Sequence, residues 1–215
     1  RSSVNGTSAD FADDIRAAVA YLRTRPEIDP ARIALVGHSE GGMIAPMIAA
    51  TDRRLAAIVL MAGPAQSGRQ IIDYQLGRAV SGDPTIPAAS RDSAAAAVRA
   101  AFDSTTAKGP WMRYFLAYDP LPTLRRVKQP VLILQGATDR QVTAEQAPLI
   151  EQTLRAAGNR RVTSVIFPDR NHLFLRDADG SPTGYASLPG GHVDAEVMGA
   201  LVRWLVETLG ARPPA

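Results

Sequence analysis

Residues 33–49, IALVGHSEGGMIAPMIA, change character half-way along. The first four are apolar, as in a short buried strand, and Met43, Ile44, Met47 and Ile48 then recur at helical spacing. Between the two lies Gly37-His38-Ser39-Glu40-Gly41, a G-x-S-x-G pentad. A strand-to-helix reversal this tight forces its central residue into strained backbone geometry. Side chains two positions to either side are expected to collide, hence Gly37 and Gly41. The Ser39 hydroxyl is then held out at the carboxyl end of a sheet. The backbone N–H of Glu40, at the start of the helix, is placed to support an oxyanion. The plainer reading is a glycine turn with an incidental serine. Pro46 lies inside the helix and is expected to kink or loosen its early turns.

Outward from this joint, the pattern is α/β. Residues 8–25 read as an amphipathic helix through Phe11, Ile15, Val19 and Leu22, with Thr7 and Asp10 as a capping box. Strands are expected at 32–37, 56–62, 130–136 and 162–168. A helix over 143–157 has Thr143 and Gln146 as its capping box and Gly158 at its end. A loop spans 169–192, and a last helix at 193–209 stops at Gly210. Such alternation implies a parallel sheet covered on both faces. Residues 64–122 break the rhythm: prolines and glycines punctuate short helical pieces, one of them alanine-rich near 88–103. Trp111, Tyr114, Phe115 and Tyr118 follow on one helical face, where core packing is a simpler reading than ligand contact.

Composition bounds the rest. At 215 residues the chain suits one domain with a full core, and its 46% apolar and 21% charged residues are ordinary for a globular protein. The apolar runs are of strand length, so no membrane span is expected. With no cysteine, disulfides, thiolate metal sites and a cysteine nucleophile are excluded. A pI near 9.6 hints at nucleic acid. However, the net charge is only +3 and the arginines are scattered among acids, which disfavours that partner. Lys108 and Lys128 are the only lysines. The chain opens at Arg1, not Met, so a processed or trimmed product is expected, and the compartment, cytoplasmic or exported, is left open.

A serine hydroxyl needs a base, and the base needs an orienting acid. Three histidines are available. His38 adjoins the serine and points the wrong way to take its proton. His192 stands before the last helix, where it caps or faces solvent. His172, in FPDRNHLF, follows the last strand at the carboxyl edge of the sheet and is favoured on location. For the acid, Asp139 in LILQGATDRQV again follows a strand, and Asp169 is the second choice. A turn or helix-cap role is the bland reading of Asp139. Against it stands the joint pattern: serine, aspartate and histidine each follow a parallel strand, in that order.

These pieces, with VLMAGP, YFLAYDPLPTLRRVKQP and NHLF, make the chain resemble the carboxyl-terminal two-thirds of an α/β-hydrolase. It is most similar to the bacterial esterase and serine-aminopeptidase-like group that carries GHSEGG. The resemblance implies a mostly parallel sheet flanked by helices, with core segments 1–63 and 123–215 and a helical cap at 64–122. It further implies Ser39 as nucleophile, His172 as base, Asp139 as acid, and Glu40 as oxyanion donor through its N–H. Trp111 and Phe115 of the cap, with His38, are then expected to touch substrate. Neither a metal nor an organic cofactor is implied, and the partner is a small ester. Members of the group carry further strands before the first helix, and one precedes a loop, often starting His-Gly, that gives a second oxyanion N–H. Without them, residues 33–36 are expected to be an exposed apolar edge that invites pairing with another copy. The second donor would be lost too, worth about 3 kcal/mol.

Overall fold

The computed structural model describes residues 6–210. The readings that concern Arg1 and the two chain ends lie outside them. Four parallel strands form the sheet in the order β1 (Ala34–His38), β2 (Ala57–Met61), β3 (Val131–Gly136) and β4 (Val162–Phe167). All four carboxyl ends therefore lie along one rim, where the connecting loops gather.

Alternation of side chains along each strand sorts the core into two faces. Ile58, Leu60, Val131, Ile133 and Val162 face one side, beneath α1 (Ser8–Leu22), α2 (Glu40–Ala49), α6 (Pro120–Leu124) and α7 (Gln146–Ala156). Val59, Met61, Leu132, Leu134 and Phe167 face the other, where α8 (Ala195–Leu209) brings Val197 and Leu201. Both faces are covered, as the strand–helix alternation implies. α1 starts at the Thr7/Asp10 capping box, and α8 ends at Gly210 in the left-handed conformation. At its far end α1 is held by Arg23, whose guanidinium donates to both oxygens of Asp52 at 2.5 and 3.2 Å.

α2 is sandwiched between α1 and the sheet, and every residue from Gly42 to Ala49 is buried. Removing one such large side chain from water, Ile48 for example, contributes about 1.5–3 kcal/mol. The helix runs on through Pro46 without interruption. Surrounding burial of this kind offsets the one backbone hydrogen bond that a proline forgoes.

Two local readings need correction. Thr143 and Gln146 do not form a capping box: α7 begins only at Gln146, with Glu145 before it and no side-chain cap. The Gln146 side chain instead accepts from the backbone N–H groups of Ala65 and Gln66, both at 2.9 Å. Two donors across the fold thus take the carbonyl that a local cap would have used. The outer strand β1 is also less uniformly exposed than expected. Ile33 is buried, Leu35 is half-buried and only Val36 stands open, at 49% exposure. The reason is positional: Ile33 and Leu35 face α1 and α2, whereas Val36 faces the side on which α8 reaches β2 and β3.

Between β2 and β3 the chain forms α3 (Gly68–Gly82), α4 (Arg91–Thr105) and α5 (Pro110–Ala117) before α6. The aromatic residues of this region pair at i, i+4: Trp111 stacks on Phe115, and Tyr114 on Tyr118. Tyr114, Phe115 and Tyr118 pack against the main core, while Trp111 keeps 37% of its surface exposed. Among the described residues, no helix is long and apolar enough to cross a membrane.

Candidate active site

Ser39 stands between β1 and α2 with φ 54° and ψ −118°, a region that non-glycine residues avoid. Its amide donates to Met61 O at 2.9 Å, and its carbonyl accepts from Gly42 N at 2.9 Å. Both bonds fix the turn from the neighbouring strand and from the first turn of the helix. As the first residue of α2, Glu40 has no acceptor within the helix for its N–H.

The glycines work differently from the sequence expectation. A side chain at Gly37 would overlap the carbonyl of Gly41, so that position has to be bare. At Gly41, however, an added Cβ meets nothing within 4 Å. The second crowded position is Gly42, where a Cβ would come 2.7 Å from the Cα of Gly63. The helix start therefore presses on the loop after β2, a contact between elements that the pentad itself does not encode.

On the same rim, Asp139 and His172 meet. Asp139 Oδ2 lies 2.8 Å from His172 Nδ1, and the Asp139 side chain has no exposed surface. The carboxylate accepts from four donors. Gln141 N and Val142 N reach Oδ1 at 2.8 and 2.9 Å, and Gln135 Nε2 reaches Oδ2 at 3.1 Å, beside the imidazole. With every neighbour an N–H donor, the carboxylate only accepts, so His172 Nδ1 carries the proton and Nε2 keeps its lone pair. The loops that carry the two residues lie against each other. Thr138 N donates to Arg170 O at 3.1 Å, and any side chain at Gly136 would overlap that same carbonyl.

His172 is held a second time through its backbone. Its carbonyl can only accept, so His38 Nε2 donates to it across 2.8 Å. The two imidazole rings sit 4.8 Å apart, and Phe174 packs edge-on to His38 with ring centroids 6.1 Å apart. His38, the residue before Ser39, thus ties the turn to the loop of His172, its Nε2 engaged by that carbonyl and not by the serine. Although part of the ring is open to solvent, burial lowers its pKa below the ordinary imidazole value. The bond to the His172 carbonyl opposes this, electrostatic repulsion from the neighbouring His172 ring reinforces it, and Asp139 opposes it again.

A pH dependence follows. Because folding lowers this pKa, the unfolded chain binds the proton more readily. The associated stability is fully present above the ordinary value of 6.5 and is lost as the pH falls through that value toward the folded one. Urea midpoints recorded from neutral to mildly acidic pH are expected to fall more steeply for the wild type than for His38→Gln. Equal slopes would show that His38 does not report on this linkage.

The remaining expectations divide. Asp169, the second-choice acid, is exposed with φ 51°, and Asp139 takes the imidazole instead. His192 is exposed, and Asp194 caps α8. Trp111 donates its indole N–H to Glu40 Oε1 at 2.7 Å, and Ser8 Oγ reaches the same oxygen at 2.6 Å. Phe115 sits behind Trp111 and covers one side of the indole. Gln135 escaped the sequence reading; its signal is a polar residue inside the apolar strand VLILQG. It donates to Asp139 and to Val142 O, and so shapes the turn between them. Among the described residues, no group of three or more His, Cys, Asp or Glu side chains is placed to hold a metal ion.

Residues 2–186 match the model of the Alpha/beta hydrolase family. The chain belongs to that family. Esterase EstD of Thermotoga maritima is 27% identical over 207 residues, an alignment that takes in 92% of this chain and 48% of EstD. The chain thus spans about half the length of this curated relative. Two solved structures share the alpha/beta hydrolase fold. A puromycin-hydrolyzing peptidase of Mycobacterium tuberculosis superposes with a TM-score of 0.61 at 20% identity, over 95% of this chain and 26% of that one. The Pyrococcus furiosus esterase Pf2001 superposes with a TM-score of 0.54 at 15% identity, over 91% of this chain and 60% of its own.

Proposed function

We propose that this alpha/beta hydrolase cleaves carboxylic esters with short to medium acyl chains through a covalent acyl-enzyme. The Asp139–His172 pair, buried on the same rim as the strained Ser39 turn, carries this reading. Ser39 Oγ attacks the ester carbonyl while His172 Nε2 takes its proton. Asp139 keeps the imidazole in the tautomer that leaves Nε2 free, and stabilises it once it is cationic. The N–H of Glu40 stabilises the oxyanion as the tetrahedral intermediate forms. His172 returns the proton to the departing alcohol. Water, deprotonated by the same nitrogen, then attacks the acyl carbonyl, and His172 returns that proton to Ser39 Oγ as the acid leaves. The steps run through side chains and backbone, with no cofactor required.

Residues 64–122 act in this proposal as a cap, and Trp111 is its point of contact with the nucleophile turn. The likeness to EstD supports the choice of esters. An amino-terminal peptidase is the rival within the same chemistry. It would use Glu40 to hold a free amine, and the indole and Ser8 hydroxyl on one oxygen of that carboxylate do not occupy the other.

A fluorophosphonate probe and a substrate panel test the proposal. Covalent labelling is expected, with turnover of p-nitrophenyl acetate and butyrate exceeding that of aminoacyl anilides. Turnover of anilides alone would overturn the esterase reading. An unlabelled protein that turns over neither class would leave a binding role for the fold.

A further inference from the structure

Beside the nucleophile turn lies a cavity of about 430 Å³, walled by Phe11 of α1, by Glu40, and by Pro110, Trp111 and Met112 of α5. Glu40 is the one ionisable side chain on its wall, and no Arg, Lys or His lines it among the described residues. Both hydrogen bonds to this carboxylate, from Ser8 and from Trp111, fall on Oε1. A carboxylate offers about four acceptor positions, so two neutral donors leave Oε2 and the net charge unanswered. Among the described residues, no cation forms an ion pair with Glu40. Thr106 adds one neutral polar side chain to the wall, and the remaining side chains are aromatic or apolar: Phe115 backs one face of the Trp111 indole, and Phe11 and Met112 add further soft surface.

A negative charge beside aromatic faces, in a cavity that no positive group lines among the described residues, matches an alkylammonium ion. The carboxylate attracts its charge, the ring quadrupoles attract it again, and the methyl groups bury against apolar carbon. An anionic substituent would meet repulsion, and a neutral one would gain only the apolar contacts. The position is equally specific, because Glu40 directly follows Ser39 and its N–H belongs to the first turn of the helix at the nucleophile. We infer that the cavity receives a cationic group on the substrate, so that the preferred esters carry an ammonium on the acyl or the alcohol side. This rests on Ser39 as the nucleophile, and it adds a substrate class to that reading.

Matched pairs isolate the charge. On the alcohol side, choline acetate is compared with the uncharged ester in which carbon replaces the quaternary nitrogen. On the acyl side, the p-nitrophenyl ester of a trimethylammonio-alkanoic acid is compared with its carbon isostere. In at least one pair the cationic ester is expected to have a kcat/KM about tenfold higher. That ratio is expected to fall toward one in Glu40→Gln and to shrink in Trp111→Leu. Each ratio is taken within one preparation, so a loss of folded protein cancels. Binding of choline itself, followed by tryptophan fluorescence against its uncharged carbon isostere, gives a readout independent of turnover. Choline binding that is lost in Glu40→Gln, without ester hydrolysis, would support the cavity and sink the hydrolase reading. Hydrolysis of both members of both pairs at equal rates would sink the cavity and leave that reading intact. No turnover and no choline binding would overturn both.

Discussion

Replacement of Ser39 by alanine is expected to abolish fluorophosphonate labelling and to lower ester turnover by about six orders of magnitude, the loss typical when such a nucleophile is removed. The backbone explains why this substitution can separate chemistry from folding. Position 39 is held at φ 54° by its own N–H on Met61 O and by its carbonyl under Gly42 N, and neither bond involves the hydroxyl. The hydroxyl also makes no cap bond to the helix. Alanine meets the same backbone strain as serine and loses no structural contact. Its thermal unfolding is therefore expected to match the wild type within about 0.5 kcal/mol, the range of substitutions that touch nothing structural. An alanine variant that stayed active would place the nucleophile elsewhere. One that unfolded would show that the hydroxyl holds the turn together.

Asp139→Asn is expected to lower kcat by about four orders of magnitude, as in comparable triads. The mechanism lies in the donors around the carboxylate. Gln141 N and Val142 N point at one oxygen, Gln135 Nε2 and His172 Nδ1 at the other. Whichever way the asparagine amide is turned, its NH2 group faces N–H donors. The backbone amides of Gln141 and Val142 cannot adapt, whereas the imidazole can, by moving its proton from Nδ1 to Nε2 and accepting from the amide. That tautomer has no lone pair for the serine proton. Labelling by the fluorophosphonate should slow in parallel with ester turnover, because both need the same base. A variant with near-normal rates would return Asp139 to the bland role of ordering the loop that it shares with Gln141 and Val142.

Those same four donors show what a sequence can and cannot disclose. The order of strands and helices was legible because burial on two faces leaves a strong alternating pattern, and the turn at Ser39 because tight geometry restricts residue types. Asp139 and His172 could be singled out since both follow strands of one parallel sheet, which places them on one rim. What stayed hidden depended on approach between distant segments. Gly42 is bare because Gly63 presses on it, not because of the pentad's own symmetry. Gln146 looked like a cap, yet the amides of Ala65 and Gln66 claim its side chain. Gln135 lies inside an apolar strand, and only the turn over Asp139 shows its purpose. The hydrogen bond from His38 to the His172 carbonyl spans 134 positions, beyond any local pattern.

That span also bears on how the protein is made. During synthesis from the amino end, the Ser39 turn can form as soon as β1, α2 and β2 have emerged. His172 arrives more than a hundred residues later, from the loop after β4, and only then do His38 and Asp139 acquire their shared partner. In the proposed mechanism, a nascent chain that has not yet reached His172 carries the serine without its base. On that proposal, reactivity is expected to appear only once β3 has paired with β4. A covalent serine probe applied to chains stalled at successive lengths would read the completion of the sheet directly.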